Sequence, residues 1–282
     1  MSVRRPSYAG TFYEATPKSL RAQIEGCFTH QLGPKSLPAV ADNQLKNTVG
    51  LVCPHAGYMY SGPIAAHAYY HLALDGKPDL VVILAPNHTG SGSALAVMRE
   101  GVWRTPLGEV RIDTTTTDTI VKGSSLLDVD NVAHMHEHSI EVQLPWLQYL
   151  YGGDFKFVPI CFLMQDLQSS REVGMAVAKA LRNKNALVIA STDMTHYEPQ
   201  KEAQRKDQML LEAVLKLQEE SFYSVVESIG ASICGYGPVI ATITAAKELG
   251  AKNGKLLCYK TSGDVIGDYS AVVGYSSLIF TK

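Results

Sequence analysis

Four short stretches of the chain, Thr48–Cys53, Leu80–Ala85, Phe155–Phe162 and Ala186–Ser191, are apolar almost without interruption. A strand with one wet face alternates apolar and polar side chains. An unbroken apolar run suits a strand covered on both faces, as in a parallel sheet between helix layers. Between these runs the apolar residues recur every three or four positions, predicting helices over Lys18–Leu32, Pro63–Leu74, Ser139–Tyr151, Arg171–Arg182, Lys201–Leu217, Ser221–Ser228 and Pro238–Leu249. Pro63 and Pro238 are placed in first turns, where a missing N–H is tolerated, and Gly250 is expected to stop the last helix. Lys255–Thr261 and Ser270–Phe280 predict two neighbouring strands around a Gly-Asp-rich turn. The alternation gives an α/β fold with a central, mainly parallel or mixed sheet between helix layers. No repeat, linker or low-complexity tract divides the chain, so residues 1–282 are expected to form one domain.

Three of the four covered strands stop at polar clusters. Leu51-Val52-Cys53 runs into Pro54-His55-Ala56-Gly57-Tyr58, Leu84-Ala85 into Pro86-Asn87-His88, and Ala190-Ser191 into Thr192-Asp193-Met194-Thr195-His196. In open α/β sheets the ligand crevice lies beyond the carboxyl ends of parallel strands. His55, His88, Asp193 and His196 are therefore expected to face one crevice. A single strand-end histidine is ordinarily a hydrogen-bonded loop residue; recurrence at several strand ends favours a shared site. Neutral imidazole is the commonest protein metal ligand and a general base near neutral pH. Two histidines from different strands with one anionic group make a three-ligand centre with open positions.

The anionic member is less evident. Cys234, in Ser232-Ile233-Cys234-Gly235-Tyr236-Gly237-Pro238, precedes a helix whose dipole would favour its thiolate; on position alone it reads equally as a small buried cysteine at a turn. The tract His134-Met135-His136-Glu137-His138-Ser139-Ile140-Glu141 offers a second cluster. A helix from about Glu137 would set Glu137, His138 and Glu141 on one face. His138 and Glu141 then become candidates to orient a ligand or hold substrate, while His134 and His136 read as solvent-exposed. Tyr58 and other tyrosines near these motifs are candidates to line the pocket. The chain carries no strand-linked GxGxxG, no GxxxxGK[ST], no HExxH and no GxSxG.

Composition narrows the classes. Against 46% apolar residues, only 18% are charged, below the roughly 25% of an average domain, and the formal net charge is −2. This excludes a disordered chain and argues against nucleic acid as partner. No segment approaches the roughly 20 apolar residues of a membrane span. Five cysteines without a CxxC pair are no disulfide framework, so a reduced, cytoplasmic protein is expected. A homodimer is the base expectation for quaternary state.

Ala9-Gly10-Thr11-Phe12-Tyr13, Pro54–Tyr58, Ala85–His88, Glu137–Glu141, Ser191–His196 and Ile233-Cys234-Gly235 occur together and in order. In these motifs the sequence closely resembles the Memo family, from about residue 5 to the C-terminus. Prokaryotic members are named as one component of the AmmeMemoRadiSam system, beside an AMMECR-type and a radical-SAM protein, which the resemblance implies as partners. It also implies the fold of the class III, LigB-like extradiol dioxygenases, non-haem iron enzymes with two histidines and a glutamate on the metal. On that resemblance His55 and His88 match the histidine ligands, and His196 matches the acid/base histidine. Cys234 stands in the place of the glutamate, a departure from the dioxygenases. The family is associated with iron or copper, and a His₂Cys set also matches catalytic zinc. Three readings stay open: a metal-dependent redox enzyme with Asp193 orienting His196 or substrate, a binding module for a peptide or partner on the dioxygenase scaffold, and a zinc hydrolase. In each, the small-molecule substrate or peptide is unidentified.

Overall fold

The computed structural model describes residues 2–282. Twelve strands join in one mixed sheet: β1 (Val3–Arg4), β2 (Thr48–Cys53), β3 (Leu80–Pro86), β4 (Leu95–Val97), β5 (Val102–Thr105), β6 (Gly108–Ile112), β7 (Asp128–Val129), β8 (Lys156–Phe162), β9 (Ala186–Ser191), β10 (His196–Glu198), β11 (Asn253–Thr261) and β12 (Val272–Thr281). Its centre is the parallel run β6-β8-β3-β9-β2. Antiparallel β12 closes one side of this run and carries β10 and β11. The helices are α1 (Pro17–Thr29), α2 (Tyr58–Asp75), α3 (Thr114–Gly123), α4 (Val132–Met135), α5 (Leu144–Tyr151), α6 (Leu167–Leu181), α7 (Gln200–Leu215), α8 (Glu219–Ile229), α9 (Tyr236–Glu248) and α10 (Ser262–Ile266).

The sheet is covered on both faces, which is why its central strands need no polar positions. Along β3, Val81, Ile83 and Ala85 pack into one core with residues of α1, α2 and α5. Leu80, Val82 and Leu84 point the other way, into a core with α3, α6 and α9. Strands β2, β3 and β9 run parallel, so Cys53, Pro86 and Ser191 end at one edge of the sheet. That edge carries the candidate site. Among the described residues no helix is long and apolar enough to cross a membrane.

Two local expectations are corrected. Helix α2 starts at Tyr58, directly after Gly57, so Pro63 lies inside it rather than in its first turn. The segment from Ser139 is not one helix: a 3₁₀ turn over Glu141–Gln143 precedes α5.

Helices α6 and α9 approach closely at Gly174. A Cβ there would lie 2.5 Å from the Ala241 carbonyl oxygen and 2.8 Å from Thr244 Cβ. Alanine is the better helix former, yet Gly174→Ala is expected to destabilise the protein by about 1–3 kcal/mol through overpacking. Urea denaturation measures this, and unchanged stability would mean that the two helices part without strain.

Candidate functional site

The end of β2 delivers His55, buried to 2% exposure. Its backbone N–H donates to Asp193 Oδ1 at 2.8 Å, and its Nδ1 lies 3.0 Å from Ser191 Oγ. The Ser191 hydroxyl already donates to the Ser139 carbonyl (2.7 Å) and accepts from Gln143 Nε2 (2.8 Å). The Gln143 amide is itself fixed, because its oxygen accepts from Tyr69 and its nitrogen also donates to the Pro54 carbonyl. Only acceptor capacity remains at Ser191 for His55, so the ring proton sits on Nδ1 and Nε2 carries the lone pair. Burial pushes the His55 pKa well below its ordinary value, and the surrounding imidazoles of His138, His88 and His196 add to this.

His88, after β3, is held by a carboxylate. Its Nδ1 lies 2.9 Å from Glu137 Oε1 and its backbone N–H donates to Glu137 Oε2 at 2.5 Å. Glu137 is fully buried, which alone would raise its pKa. The hydrogen bonds and charges of His88, His138 and the Ser139 N–H outweigh burial and hold it at about 2. An ionised carboxylate can only accept, so the His88 proton also sits on Nδ1, leaving Nε2 open in the neutral ring. His196 repeats the pattern: Nδ1 donates to the Ser232 carbonyl at 2.8 Å and the backbone N–H to Ser232 Oγ.

His138 stacks on His88, with ring centroids 4.6 Å apart, and meets His55 edge-on at 5.2 Å. One ring nitrogen from each of His55, His88 and His138 lies within 4.8 Å of the others. Burial lowers the His138 pKa to about 4 against the opposing pull of Glu137. Cys234 does not join that trio but places Sγ 3.2 Å from His55 Nε2, to which its S–H can donate, and accepts the Asp193 N–H at 3.2 Å. Burial pushes Asp193 up to about 6, against the His55 N–H and the nearby imidazoles. His55, His88, His138, Asp193, His196 and Cys234 line one cavity of about 740 Å³, walled further by Phe12, Tyr60, Tyr197 and Tyr275.

A family model for Memo-like proteins matches residues 4–279, nearly the whole chain. The chain belongs to the Memo family. A MEMO1 family protein of Methanopyrus kandleri is 52% identical over 281 residues, 99% of each chain. One of Methanothermobacter thermautotrophicus is 49% identical over 278 residues, covering 98% of this chain and 99% of its own. The solved structure of an uncharacterised Escherichia coli K12 protein superimposes with a TM-score of 0.57 at 13% identity, over 82% of this chain and 99% of that one. That likeness concerns the fold.

In this Memo-family chain His55, His88, His138, Asp193, His196 and Cys234 converge, whereas Tyr58 and Glu141 do not line the cavity. Tyr58 is buried in the core, its hydroxyl donating to the Val142 carbonyl. Glu141 is buried against Arg4, the Ser7 and Tyr8 N–H groups and the Tyr13 hydroxyl. Those partners correct the expectation that Tyr58 lines the pocket and that Glu141 holds substrate directly; a role for either in supporting the site from behind is a separate matter. The exposure expected of His134 is corrected too, because it is fully buried with Nδ1 3.4 Å from Cys161 Sγ. The dipole of α9 does not set the state of Cys234: burial raises its thiol, and the Asp193 carboxylate raises it further. Glu137 as the holder of His88, and Ser191 with Gln143 as the holders of His55, were not legible as partners. Their only sequence signal is a polar side chain at a strand end or beside a histidine.

Proposed function

We propose that the crevice binds a redox-active transition metal, iron or copper, through His55, His88 and Cys234, and acts on a small substrate held in the cavity. The observation that carries this is the pair of committed Nδ1–H groups. Ser191 and Glu137 fix His55 and His88 in the tautomer that turns Nε2 toward the cavity, the arrangement by which outer partners orient metal-binding histidines. A bound metal would supply Lewis acidity and electron transfer at the open side of the crevice. His196, with Nδ1 donating to Ser232 and Nε2 free, is placed to take or give a proton. Asp193 holds the backbone of His55 and brings a carboxylate oxygen to 4.0 Å from its Nε2. The family resemblance supports the two histidine ligands and the cysteine. A second ligand set, with His138 in place of Cys234, is favoured by the mutual 4.8 Å spacing of the three imidazoles.

Elemental analysis of protein purified without oxygen tests the reading. About one metal per chain is expected, lost in His55→Ala and His88→Ala. Loss in Cys234→Ala but not His138→Ala selects the first ligand set, and the converse selects the second. Zinc alone, with hydrolysis of an ester or amide panel, would move the protein to the hydrolase reading. Metal-free protein whose crevice captures the AMMECR-type or radical-SAM protein would move it to the binding-module reading.

A further inference from the structure

Three tyrosines and a tryptophan touch ring to ring in the core behind the crevice. Tyr69 of α2 stacks on Trp146 of α5, with centroids 5.3 Å apart and planes 3° from parallel. Trp146 meets Tyr58 at 5.0 Å, and Tyr58 meets Tyr13 at 5.7 Å. None of the four is more than 2% exposed. A core asks only for apolar volume, and a buried hydroxyl costs desolvation unless it is bonded. The same core uses phenylalanine at Phe28, Phe155 and Phe157, yet none stands on this path. Tyrosine and tryptophan also differ from phenylalanine in chemistry, because their rings give up an electron far more readily.

The two ends of the path are unlike. At one end the Tyr69 hydroxyl donates to Gln143 Oε1 at 2.6 Å, the same amide donates to Ser191 Oγ, and that oxygen accepts the His55 Nδ1–H, so three hydrogen bonds join the path to an imidazole of the crevice. At the other end the Tyr13 hydroxyl donates to Glu141 Oε1 at 2.6 Å. A phenol that loses an electron must also shed its proton to persist as a neutral radical. Tyr69 and Tyr58 donate to the neutral carbonyls of Gln143 and Val142, which cannot keep a proton, whereas the Glu141 carboxylate can. Arg4 and the Ser7 N–H occupy its Oε2, and Oε1 faces Tyr13 and the Tyr8 N–H. We infer that Tyr69, Trp146, Tyr58 and Tyr13 form a one-electron relay between the crevice and Tyr13. A one-electron oxidant in the crevice, by class a transition-metal ion in its higher oxidation state, is reduced by one electron, which Tyr13 supplies through Tyr58, Trp146 and Tyr69. The Tyr13 O–H bond breaks as its proton passes to Glu141 Oε1, leaving a neutral phenoxyl radical beside a neutral carboxylic acid. The inference deepens the redox reading of the crevice and rests on it for the oxidant.

Flash photolysis tests the path in metal-free, full-length protein, so a failure of metal binding counts against the metal reading alone. A ruthenium polypyridyl photo-oxidant is attached at the cavity wall through Tyr197→Cys, a position 78% exposed. Burial holds up the thiols of the half-buried native cysteines Cys234 and Cys258, so the label goes to the introduced thiol. With a cobalt(III) complex as the electron acceptor, the flash is expected to leave a neutral tyrosyl radical, seen in absorbance and in electron paramagnetic resonance, that forms more slowly in D₂O. Trp146→Phe keeps a ring in the core but should cut the radical yield several-fold. Tyr13→Phe should abolish the surviving radical. Tyr236→Phe, in the core on the other face of the sheet, should change neither. Urea unfolding checks that each variant keeps its fold, and if Tyr13→Phe does not, the Trp146→Phe comparison decides. No radical in the labelled parent, an undiminished yield in Trp146→Phe, or a radical that survives in folded Tyr13→Phe would overturn the inference.

Discussion

Arg4→Met is expected to destabilise the protein by about 3–5 kcal/mol, the loss found when one partner of a buried ion pair is removed. Arg4 is 1% exposed on β1, at the far edge of the sheet. Its guanidinium pairs with Glu141, donates to the carbonyls of His134 and Glu137 at 2.8 Å each, and lies 4.1 Å above the ring of Trp103. Methionine fills much of the same volume but satisfies none of the three acceptors. Glu141 would keep only the neutral donors Ser7 N–H, Tyr8 N–H and Tyr13 hydroxyl. Denaturant unfolding measures the loss. In the double variant with Glu141→Gln the two effects should add to less than their sum, because each removes the same pair. A loss below about 1 kcal/mol would show that the segment from residue 134 to 141 is held by other contacts. The consequence reaches the site, since that segment carries both Glu137 and His138.

The centre of the fold was legible and its periphery was not, for a physical reason. Strands β2 and β9 lie where their apolar runs begin and end, because burial on both faces leaves a composition that nothing else in the chain imitates. Helix α3, in contrast, reads Thr-Thr-Thr-Thr-Asp-Thr-Ile-Val-Lys-Gly, a β-branched stretch of poor helix propensity. It is helical because Asp113 caps it by accepting the Thr116 N–H and because Ile120 packs in the core shared with α6. Neither partner is visible from the stretch itself. The strand-end histidines of the site were legible by the same logic as the strands, since parallel strands must end at a common edge. What holds them was not. Glu137 and Glu141 are four apart and suggest one helix face, but Glu137 lies in a loop and turns its carboxylate to His88, while Glu141 opens a 3₁₀ turn and pairs with Arg4. Contacts spanning 49 and 137 residues carry no local signature.

Glu137→Gln is expected to lower metal affinity roughly 10- to 100-fold, the range for losing a partner that orients a metal-binding histidine. The carboxylate accepts three N–H groups at once: the backbone and Nδ1 of His88, and the backbone of Ser139. Glutamine offers one oxygen and an NH₂ group. Whichever way its amide turns, a donor faces a donor, either at the His88 backbone or at Nδ1. With the amide nitrogen at the Oε1 place His88 gives up its Nδ1–H hydrogen bond, and with it at the Oε2 place the His88 backbone is pushed away instead; either change shifts Nε2 from its position at the cavity. Burial makes the change costly for the fold as well, by about 1–3 kcal/mol for the unsatisfied group. Competition against a chromophoric chelator gives the affinity, and urea unfolding of metal-free protein gives the stability, so the two effects separate. The decisive comparison is with His88→Ala. If Glu137 acts through His88, the double variant binds metal no more weakly than His88→Ala alone. Additive losses would mean that Glu137 supports the centre by another route, and the nearest is His138, whose Nδ1 lies 3.2 Å from the same oxygen.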